Sequence, residues 1–205
     1  MARSIPGSGP ADRAAPEHDR SGRGVGIRQL GMRIIAGRFR GHRLSPLKGK
    51  GVRPTTDRVR EAWMSAMGGR FDDVDVLDLF SGSGALGLET LSRGARSVTF
   101  VEKSHAALRV IEANIAQLGV AESCTVVADD VFRYLDREAL LFSIAVADPP
   151  YQSGQAQALV DSWMMRRFAR ELWLEHPSCD TLYVPEAART RRYGDTALTT
   201  LTAEA

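Results

Sequence analysis

The chain has 205 residues, of which 43% are hydrophobic and 25% are charged, values that are ordinary for one globular domain with short appendages. The longest apolar run, near residues 140–147, is too short to cross a bilayer, so we expect no membrane partner. Residues 1–30 contain no apolar segment typical of secretion, and the two cysteines have no metal-like spacing, which together favour a reducing cytoplasm.

The net charge of +2 conceals an uneven distribution. Residues 1–60 hold 14 Lys and Arg against 4 Asp and Glu, whereas residues 61–205 hold 13 against 21. Residues 32–60 alone hold nine basic residues and one acid among apolar positions. A basic front end before an acidic body suggests a polyanionic partner that contacts mainly this first part. The alternative is a solvated basic tail.

The first 60 residues divide into two parts. Residues 1–31 are rich in Gly, Pro, Ser and Arg, and we expect them to form a disordered extension. From Met32 to Leu44, apolar and basic residues roughly alternate, with glycines at 37 and 41. This pattern predicts a basic two-stranded β-hairpin within residues 32–60, with cationic side chains on one face.

Residues 61–205 have the pattern of an α/β domain. At the start of this domain, an apolar stripe with helical spacing is formed by Val59, Trp63 and Met67, with Thr56 or Asp57 as candidate N-cap. Strands are then predicted at about 74–79, 97–102, 124–128, 142–147 and 180–184, and helices at about 85–93, 105–118, 131–136 and somewhere within 155–175. Such alternation predicts a parallel sheet covered on both faces, with residues 193–202 as a closing edge strand.

A glycine-rich turn follows the first predicted strand. Gly82, Gly84 and Gly87 satisfy G-x-G-x-x-G, a weak signal that several classes of nucleotide-binding protein share. Glu102 ends the next strand, at a position suited to ribose hydroxyls. Asp78 precedes the glycines, where a carboxylate would repel a pyrophosphate but suit a cationic or amine-bearing ligand. S-adenosylmethionine therefore fits better than a dinucleotide.

Two neighbouring acids follow the third predicted strand. Asp130 could accept a hydrogen bond from the adenine amine of such a ligand, and Asp129 is a rival for that role. A helix cap is a nearly equal alternative.

Residues 148–151 read Asp-Pro-Pro-Tyr and follow an apolar run that we predict to be a buried strand. Open α/β sheets bind their ligands at this end of their strands. Two prolines stiffen the loop, so the Asp148 carboxylate and the Pro149 carbonyl can accept the two hydrogens of one exocyclic amine. Tyr151 can then lie face-on against the base. A simple strand-ending turn is the alternative.

The order of these residues along the chain resembles that in a class I S-adenosylmethionine-dependent methyltransferase that acts on an exocyclic amine. The residues are Asp78, Gly82, Gly84, Glu102, Asp130 and the Asp-Pro-Pro-Tyr loop. Four further segments resemble the RsmD family in particular, the 16S ribosomal RNA guanine-N2 methyltransferases of bacteria. They are residues 33–37, 53–61, 78–89 and 92–95. The resemblance covers about residues 32–202 and weakens after Tyr151.

This resemblance implies a Rossmann-like fold with a mostly parallel seven-stranded sheet, helices on both faces and an antiparallel closing strand. It implies methyl transfer from S-adenosylmethionine, with S-adenosylhomocysteine as product and no metal, to one guanine of 16S rRNA in an assembled or assembling small subunit. It also implies that residues 32–60 include, after the hairpin, a segment at Thr55–Arg58 that closes over the methionine end of the cofactor, where Arg58 pairs with the carboxylate or is a solvated arginine at a helix start. We expect a cytoplasmic monomer. The nearest alternative is an adenine-N6 methyltransferase acting on DNA or RNA, and a non-catalytic RNA-binding module is a further one.

The residues and the resemblance together give a set of candidate site residues. The candidate catalytic residues are Asp148, Pro149, Pro150 and Tyr151. The candidate cofactor-binding residues are Thr55, Thr56, Arg58, Asp78, Phe80, Gly82, Gly84, Glu102, Lys103, Asp130, Val131 and Asp148. The candidate RNA-binding residues are Arg33, Arg38, Arg40, Arg43, Lys48 and Arg53. No metal ligands are expected, and the surface is the expected location of His18, His42, His105 and His176.

Overall fold

The computed structural model describes residues 32–47, 57–137, 141–151 and 154–203. The predicted extension at residues 1–31 lies outside this part of the chain, as do Lys48, Arg53, Thr55 and Thr56.

The described residues form one sheet. Its strands are β1 (Asp75–Leu79), β2 (Ser97–Glu102), β3 (Cys124–Ala128), β4 (Phe142–Ala147), β5 (Ala169–Pro177), β6 (Arg189–Tyr193) and β7 (Thr196–Thr202). They lie in the order β3-β2-β1-β4-β5-β7-β6, with β1 to β5 parallel to one another and β7 antiparallel to both β5 and β6. This topology confirms the predicted fold class. The prediction of residues 193–202 as an edge strand is wrong, because β7 lies between β5 and β6 and the edge is β6.

Helices cover both faces of the sheet because neighbouring strand residues point to opposite sides. Val76 of β1 packs in one hydrophobic core with α1, α2 and α3, and Leu77 packs in the other with α4 and α5. The helices are α1 (Asp57–Ala66), α2 (Ala85–Ser92), α3 (His105–Leu118), α4 (Val131–Arg137) and α5 (Gln155–Arg166). Gly119, with φ of 65°, ends α3.

The strand prediction at residues 180–184 is wrong. The fifth parallel strand is β5, whose residues 169–175 fall inside the range predicted to contain a helix. Residues 180–184 instead form a surface connection, in which the Tyr183 backbone exchanges hydrogen bonds with the Gln157 side chain and the ring is 84% exposed. The longer apolar run of β5 occupies the place beside β4, because pairing in a buried sheet outweighs local propensity.

The predicted hairpin is confirmed at residues 32–44. Arg33 pairs with Arg43, the Ile34 N–H donates to the His42 carbonyl at 2.9 Å, and the Leu44 N–H donates to the Met32 carbonyl at 2.8 Å. Ile34 and Leu44 are buried in the core that also holds Trp63.

The hairpin docks tightly along α2. Both Glu89 carboxylate oxygens accept hydrogen bonds from the Ile35 and Ala36 N–H groups, at 2.8 and 3.0 Å. A Cβ at Gly37 would lie 1.8 Å from the Ser92 carbonyl oxygen, so this position requires glycine. The exposed arginines of the hairpin are therefore held on a fixed scaffold.

Candidate active site

The candidate site lies at the carboxyl end of the sheet, where the parallel strands stop together. Leu79 of β1 is in register with Val101 of β2 and with Ala147 of β4, and Glu102 is in register with Ala128 of β3. The residues that follow these strands therefore meet there, as ligand sites in open α/β sheets do.

The glycine-rich turn folds into a tight left-handed connection between β1 and α2. Phe80, Gly82 and Gly84 have φ values of 57°, 55° and 75°, and the Ser81 hydroxyl donates to the Asp78 carbonyl at 2.7 Å. Glycine adopts this conformation without strain, whereas Phe80 is held in it by its surroundings, including an edge-on contact with Phe132. The turn brings backbone close to the start of α2.

Asp78 is 1% exposed and accepts a hydrogen bond from the Gly87 N–H at 2.9 Å. A Cβ at Gly87 would lie 2.5 Å from the Phe100 ring and 2.9 Å from the Asp78 carboxylate. Burial raises the pKa of Asp78 well above its usual value, and the negative charges of Asp148 and Glu102 raise this pKa further. Asp78 thus organises the turn, and its contact with a cofactor stays a prediction.

Glu102 connects the turn to β2. Its carboxylate accepts hydrogen bonds from the Gly82 N–H at 3.0 Å and from the Ser104 N–H at 2.8 Å. A carboxylate oxygen has a second lone pair, so these bonds leave room for the predicted ribose contact.

Asp130 caps α4, as the alternative interpretation of this residue suggests. Its carboxylate accepts from the Phe132 N–H at 3.1 Å and from the Lys103 ammonium at 3.2 Å. Burial raises the pKa of Asp130, but the Lys103 bond and the backbone bonds outweigh burial and lower it overall. Asp129 is held by Arg137 at 2.5 Å, and Val131 is buried in the core.

The Asp-Pro-Pro-Tyr loop leaves β4 at the same end of the sheet. Asp148 is partly buried, Pro149 is buried and Pro150 is exposed. The Tyr151 hydroxyl donates to Glu175 Oε1 at 2.7 Å and lies 3.0 Å from Thr196 Oγ1. Burial is the main cause that raises the pKa of Tyr151, so the phenol stays neutral.

Sequence reasoning missed the residues around Tyr151. Glu175 is 4% exposed, and its second oxygen accepts from the Trp63 indole N–H at 2.9 Å. The available signal was a carboxylate directly after the apolar run Leu172-Trp173-Leu174, but no strand was predicted there. A cavity of about 330 Å³ lies beside the same loop, between Tyr151, the start of α5 and residues 175–182.

The predicted RNA-binding residues are partly described. Arg33, Arg38, Arg40 and Arg43 are all exposed, and the Arg38 guanidinium lies 4.4 Å from the centre of the Phe39 ring. The base of the hairpin contacts Ser83 in the glycine-rich turn, whereas its tip contacts Ser92 at the far end of α2. An α-helix rises about 1.5 Å per residue, so the 8 residues of α2 place the tip about 12 Å further from the site than the base.

Arg58 lies in the first turn of α1, and its side chain is outside the described part of the chain. The surface prediction for the histidines is wrong for His176, which is buried, whereas His42 and His105 are exposed and His18 is outside the described residues. Within residues 32–47, 57–137, 141–151 and 154–203, no three His, Cys, Asp or Glu side chains are grouped to hold a metal ion. The same residues include no helix long and apolar enough to span a membrane.

The carboxyl end of the sheet carries three acidic side chains and the glycine-rich turn, whose backbone a ligand can approach closely. The mutual repulsion of Asp78, Glu102 and Asp148 contributes to the raised pKa of Asp78, and a cationic ligand would relieve it. A sulfonium and an amine therefore fit these residues, and a pyrophosphate does not.

Comparison with known proteins agrees with this chemistry. A family model described as "Conserved hypothetical protein 95" matches residues 32–202. "Putative rRNA methyltransferase YlbH" of Bacillus subtilis is 36% identical over 140 residues, which are 65% of this chain and 76% of that protein. "Ribosomal RNA small subunit methyltransferase D" of Escherichia coli K12 is 36% identical over 146 residues, which are 71% of this chain and 69% of that protein.

Among solved structures, "Putative methyltransferase yhhF from Escherichia coli" is similar to this chain with a TM-score of 0.73 and 30% identity. The match covers 84% of this chain and 98% of that one. Together, these matches show that the chain belongs to the RsmD family of S-adenosylmethionine-dependent ribosomal RNA methyltransferases.

Proposed function

We propose that the enzyme transfers a methyl group from S-adenosylmethionine to the exocyclic N2 amine of one guanine in 16S ribosomal RNA. The observation that carries this proposal is the position of Asp148-Pro-Pro-Tyr at the carboxyl end of β4, in register with the glycine-rich turn after β1. A methyl donor and a nucleobase amine bound at these two places would be neighbours. The names of the relatives support ribosomal RNA as the substrate.

The cofactor half of the site is the glycine-rich turn with the ends of β2 and β3. Bound S-adenosylmethionine supplies a methyl group made electrophilic by its sulfonium. Glu102 would accept from the ribose hydroxyls, and Asp130, held by Lys103, would face the adenine amine. Asp78 keeps the turn in shape through Gly87, and Phe80, Gly82 and Gly84 would line the ligand with backbone.

The amine half of the site is the Asp-Pro-Pro-Tyr loop. The lone pair of a nucleobase amine is delocalised into the ring, so the amine is a poor nucleophile. The Asp148 carboxylate and the Pro149 carbonyl would each accept one N–H, which favours a pyramidal nitrogen whose lone pair points at the methyl group. After transfer the nitrogen is cationic and loses a proton readily, and Asp148 would accept it.

Tyr151 would form the wall against which a flipped-out base stacks. Its hydroxyl bonds to Glu175 and Thr196 at the far edge of the ring, which fixes the orientation of the ring. The cavity beside the loop, at about 330 Å³, lies within the range of small-ligand sites.

The hairpin would contact RNA away from the methylated nucleotide. Its tip arginines lie near the end of α2, so an RNA that reaches both Arg38 and Asp148 must run along the side of the domain. A folded RNA surface, as in an assembled or assembling small subunit, meets this demand better than a short single strand. We propose that the enzyme acts there as a monomer, in the cytoplasm.

The direct test uses S-adenosylmethionine labelled in its methyl group. The enzyme is incubated separately with unmethylated small subunits, naked 16S rRNA and duplex DNA, and the products are digested to nucleosides. We expect label in N2-methylguanosine, strongest with the small subunits. Label in N6-methyladenosine, or only in duplex DNA, would show that the adenine-N6 alternative is right.

A further inference from the structure

The Glu175 carboxylate is buried between two aromatic side chains from distant parts of the chain. It accepts one hydrogen bond from the Tyr151 hydroxyl at 2.7 Å and one from the Trp63 indole at 2.9 Å. Trp63 is in α1, Glu175 is in β5 and Tyr151 follows β4. The carboxylate therefore links the first helix of the domain to the loop that carries the candidate catalytic residues.

A buried acid is a costly way to satisfy these donors. Taking a carboxylate out of water carries a large penalty, whereas a backbone carbonyl can satisfy an indole N–H without it. A second buried tryptophan of this protein is satisfied by a backbone carbonyl: the Trp163 indole donates to the Ala169 carbonyl at 2.9 Å in the other core. A side chain at residue 175 that has two polar atoms in one plane supplies what a single carbonyl cannot, because it bonds to Trp63 and Tyr151 at a fixed separation.

The acceptors determine where the ring of Tyr151 can lie. The phenol oxygen is held between Glu175 and Thr196, at 2.7 and 3.0 Å, so the ring has little freedom to rotate about the loop. Trp63 in turn fixes the plane of the carboxylate. The orientation of the ring is set by β5, β7 and α1 together, rather than by the loop itself.

We propose that Glu175 is a positioning residue for methyl transfer. By holding the Tyr151 hydroxyl, it keeps the face of that ring in the orientation that stacks on the target base. This inference rests on the proposed role of Tyr151 as the stacking wall, and it assigns the orientation of the base to a residue outside the Asp-Pro-Pro-Tyr motif.

The test is a double-mutant cycle on kcat for methyl transfer to RNA, with cofactor affinity measured by calorimetry. Glu175→Ala and Tyr151→Phe are each expected to lower kcat by about tenfold to a hundredfold, because a misplaced base loses alignment with the methyl group. The double variant is expected to be no slower than the slower single variant. The affinity for S-adenosylmethionine should change by less than about threefold, since neither side chain is in the cofactor half of the site.

Glu175→Gln is the conservative rescue. The Gln carbonyl can accept from Trp63 while its amide donates to the phenol oxygen, which then donates to Thr196. We expect kcat within about threefold of wild type for this variant.

Trp163→Phe is the matched control for lost stability. It removes an indole N–H from an equally buried hydrogen bond in the other core, so kcat should remain at the wild-type value below its melting temperature. Multiplicative losses in the double variant, a parallel loss of cofactor affinity, or the same drop in kcat for Trp163→Phe would overturn the positioning role.

These outcomes are separate from a failure of the proposed function. The cycle compares variants on whatever RNA the wild-type enzyme methylates, and the modified nucleoside is identified independently. An adenine product would overturn the guanine assignment and leave the cycle interpretable.

Discussion

His176 is one of the polar side chains that the fold buries beside the candidate site. It is 2% exposed; its Nδ1 lies 2.9 Å from the Pro177 carbonyl and its Nε2 lies 2.8 Å from Thr199 Oγ1. A carbonyl can only accept, so Nδ1 carries the hydrogen and neutral Nε2 accepts from the hydroxyl. Burial lowers the pKa of His176 below its usual value of about 6.5.

This shift makes stability depend on pH. Because the folded-state pKa is the lower one, the unfolded chain takes up the proton first as pH falls below about 6.5. The contribution of His176 to stability is complete above that pH and is lost as pH falls towards the folded-state pKa. We expect the urea unfolding free energy of the wild type to fall more steeply between pH 7 and pH 5 than that of His176→Gln, by a margin on the order of 1 kcal/mol or less. Parallel pH profiles would contradict this assignment.

At the scale of elements, the contact between the glycine-rich turn, α2 and β2 depends on the missing side chain at Gly87. In an open helix, alanine would be favoured over glycine by about 1 kcal/mol. Here its Cβ would lie 2.5 Å from the Phe100 ring and 2.7 Å from Val98, so α2 must move away from the sheet.

We therefore expect Gly87→Ala to lower the unfolding free energy by about 1–3 kcal/mol. It should also weaken S-adenosylmethionine binding by more than about tenfold, because the Asp78 bond that shapes the turn is displaced. Gly119→Ala is the matched control: its φ of 65° makes alanine costly, but a Cβ there meets nothing within 4 Å. Equal cofactor affinity in both variants, measured by calorimetry, would contradict the packing argument.

The hairpin is the element that we expect to bind RNA phosphates. Arg38→Glu with Arg40→Glu should weaken RNA binding by about tenfold or more and leave cofactor affinity intact, since the hairpin tip is far from the turn. Arg167→Glu with Arg170→Glu makes the same change of charge at exposed positions at the junction of α5 and β5, whereas the hairpin docks along α2. Filter binding of both double variants should separate them, and an unchanged RNA affinity for the hairpin variant would refute the assignment.

At the scale of the whole molecule, the success of sequence-based prediction depends on how far apart the determining residues lie. The glycine-rich turn and the Asp-Pro-Pro-Tyr loop were recognisable because each is a continuous segment with its own backbone demands. The strands β2, β3 and β4 were predicted at the bounds that the structure has, since each is a short apolar run beside a clear helix.

The features that the sequence did not predict depend on contacts between segments that are distant along the chain. Glu175 and Trp63 are separated by 112 positions, and their contact follows from the strand order rather than from any local pattern. The same applies to β5: the helix predicted within residues 155–175 is α5, but the strand that follows it was not predicted, because it is defined by pairing with β4 and β7. The burial of His176 follows from that pairing.

We propose that the carboxyl end of the sheet has two halves, one that binds the methyl donor and one that presents the amine. Asp148→Ala separates them, because it removes the amine acceptor while the glycine-rich turn, Glu102 and Asp130 remain. Asp136→Ala, which removes an exposed carboxylate on α4, is the matched control and should leave both properties unchanged.

The most direct measurement is single-turnover methyl transfer to small ribosomal subunits by Asp148→Ala, with cofactor binding followed by calorimetry on the same preparation. We predict an S-adenosylmethionine affinity within about threefold of wild type and a transfer rate at least about a thousandfold lower. A transfer rate within tenfold of wild type, which corresponds to about 1.4 kcal/mol of activation free energy, would contradict this prediction.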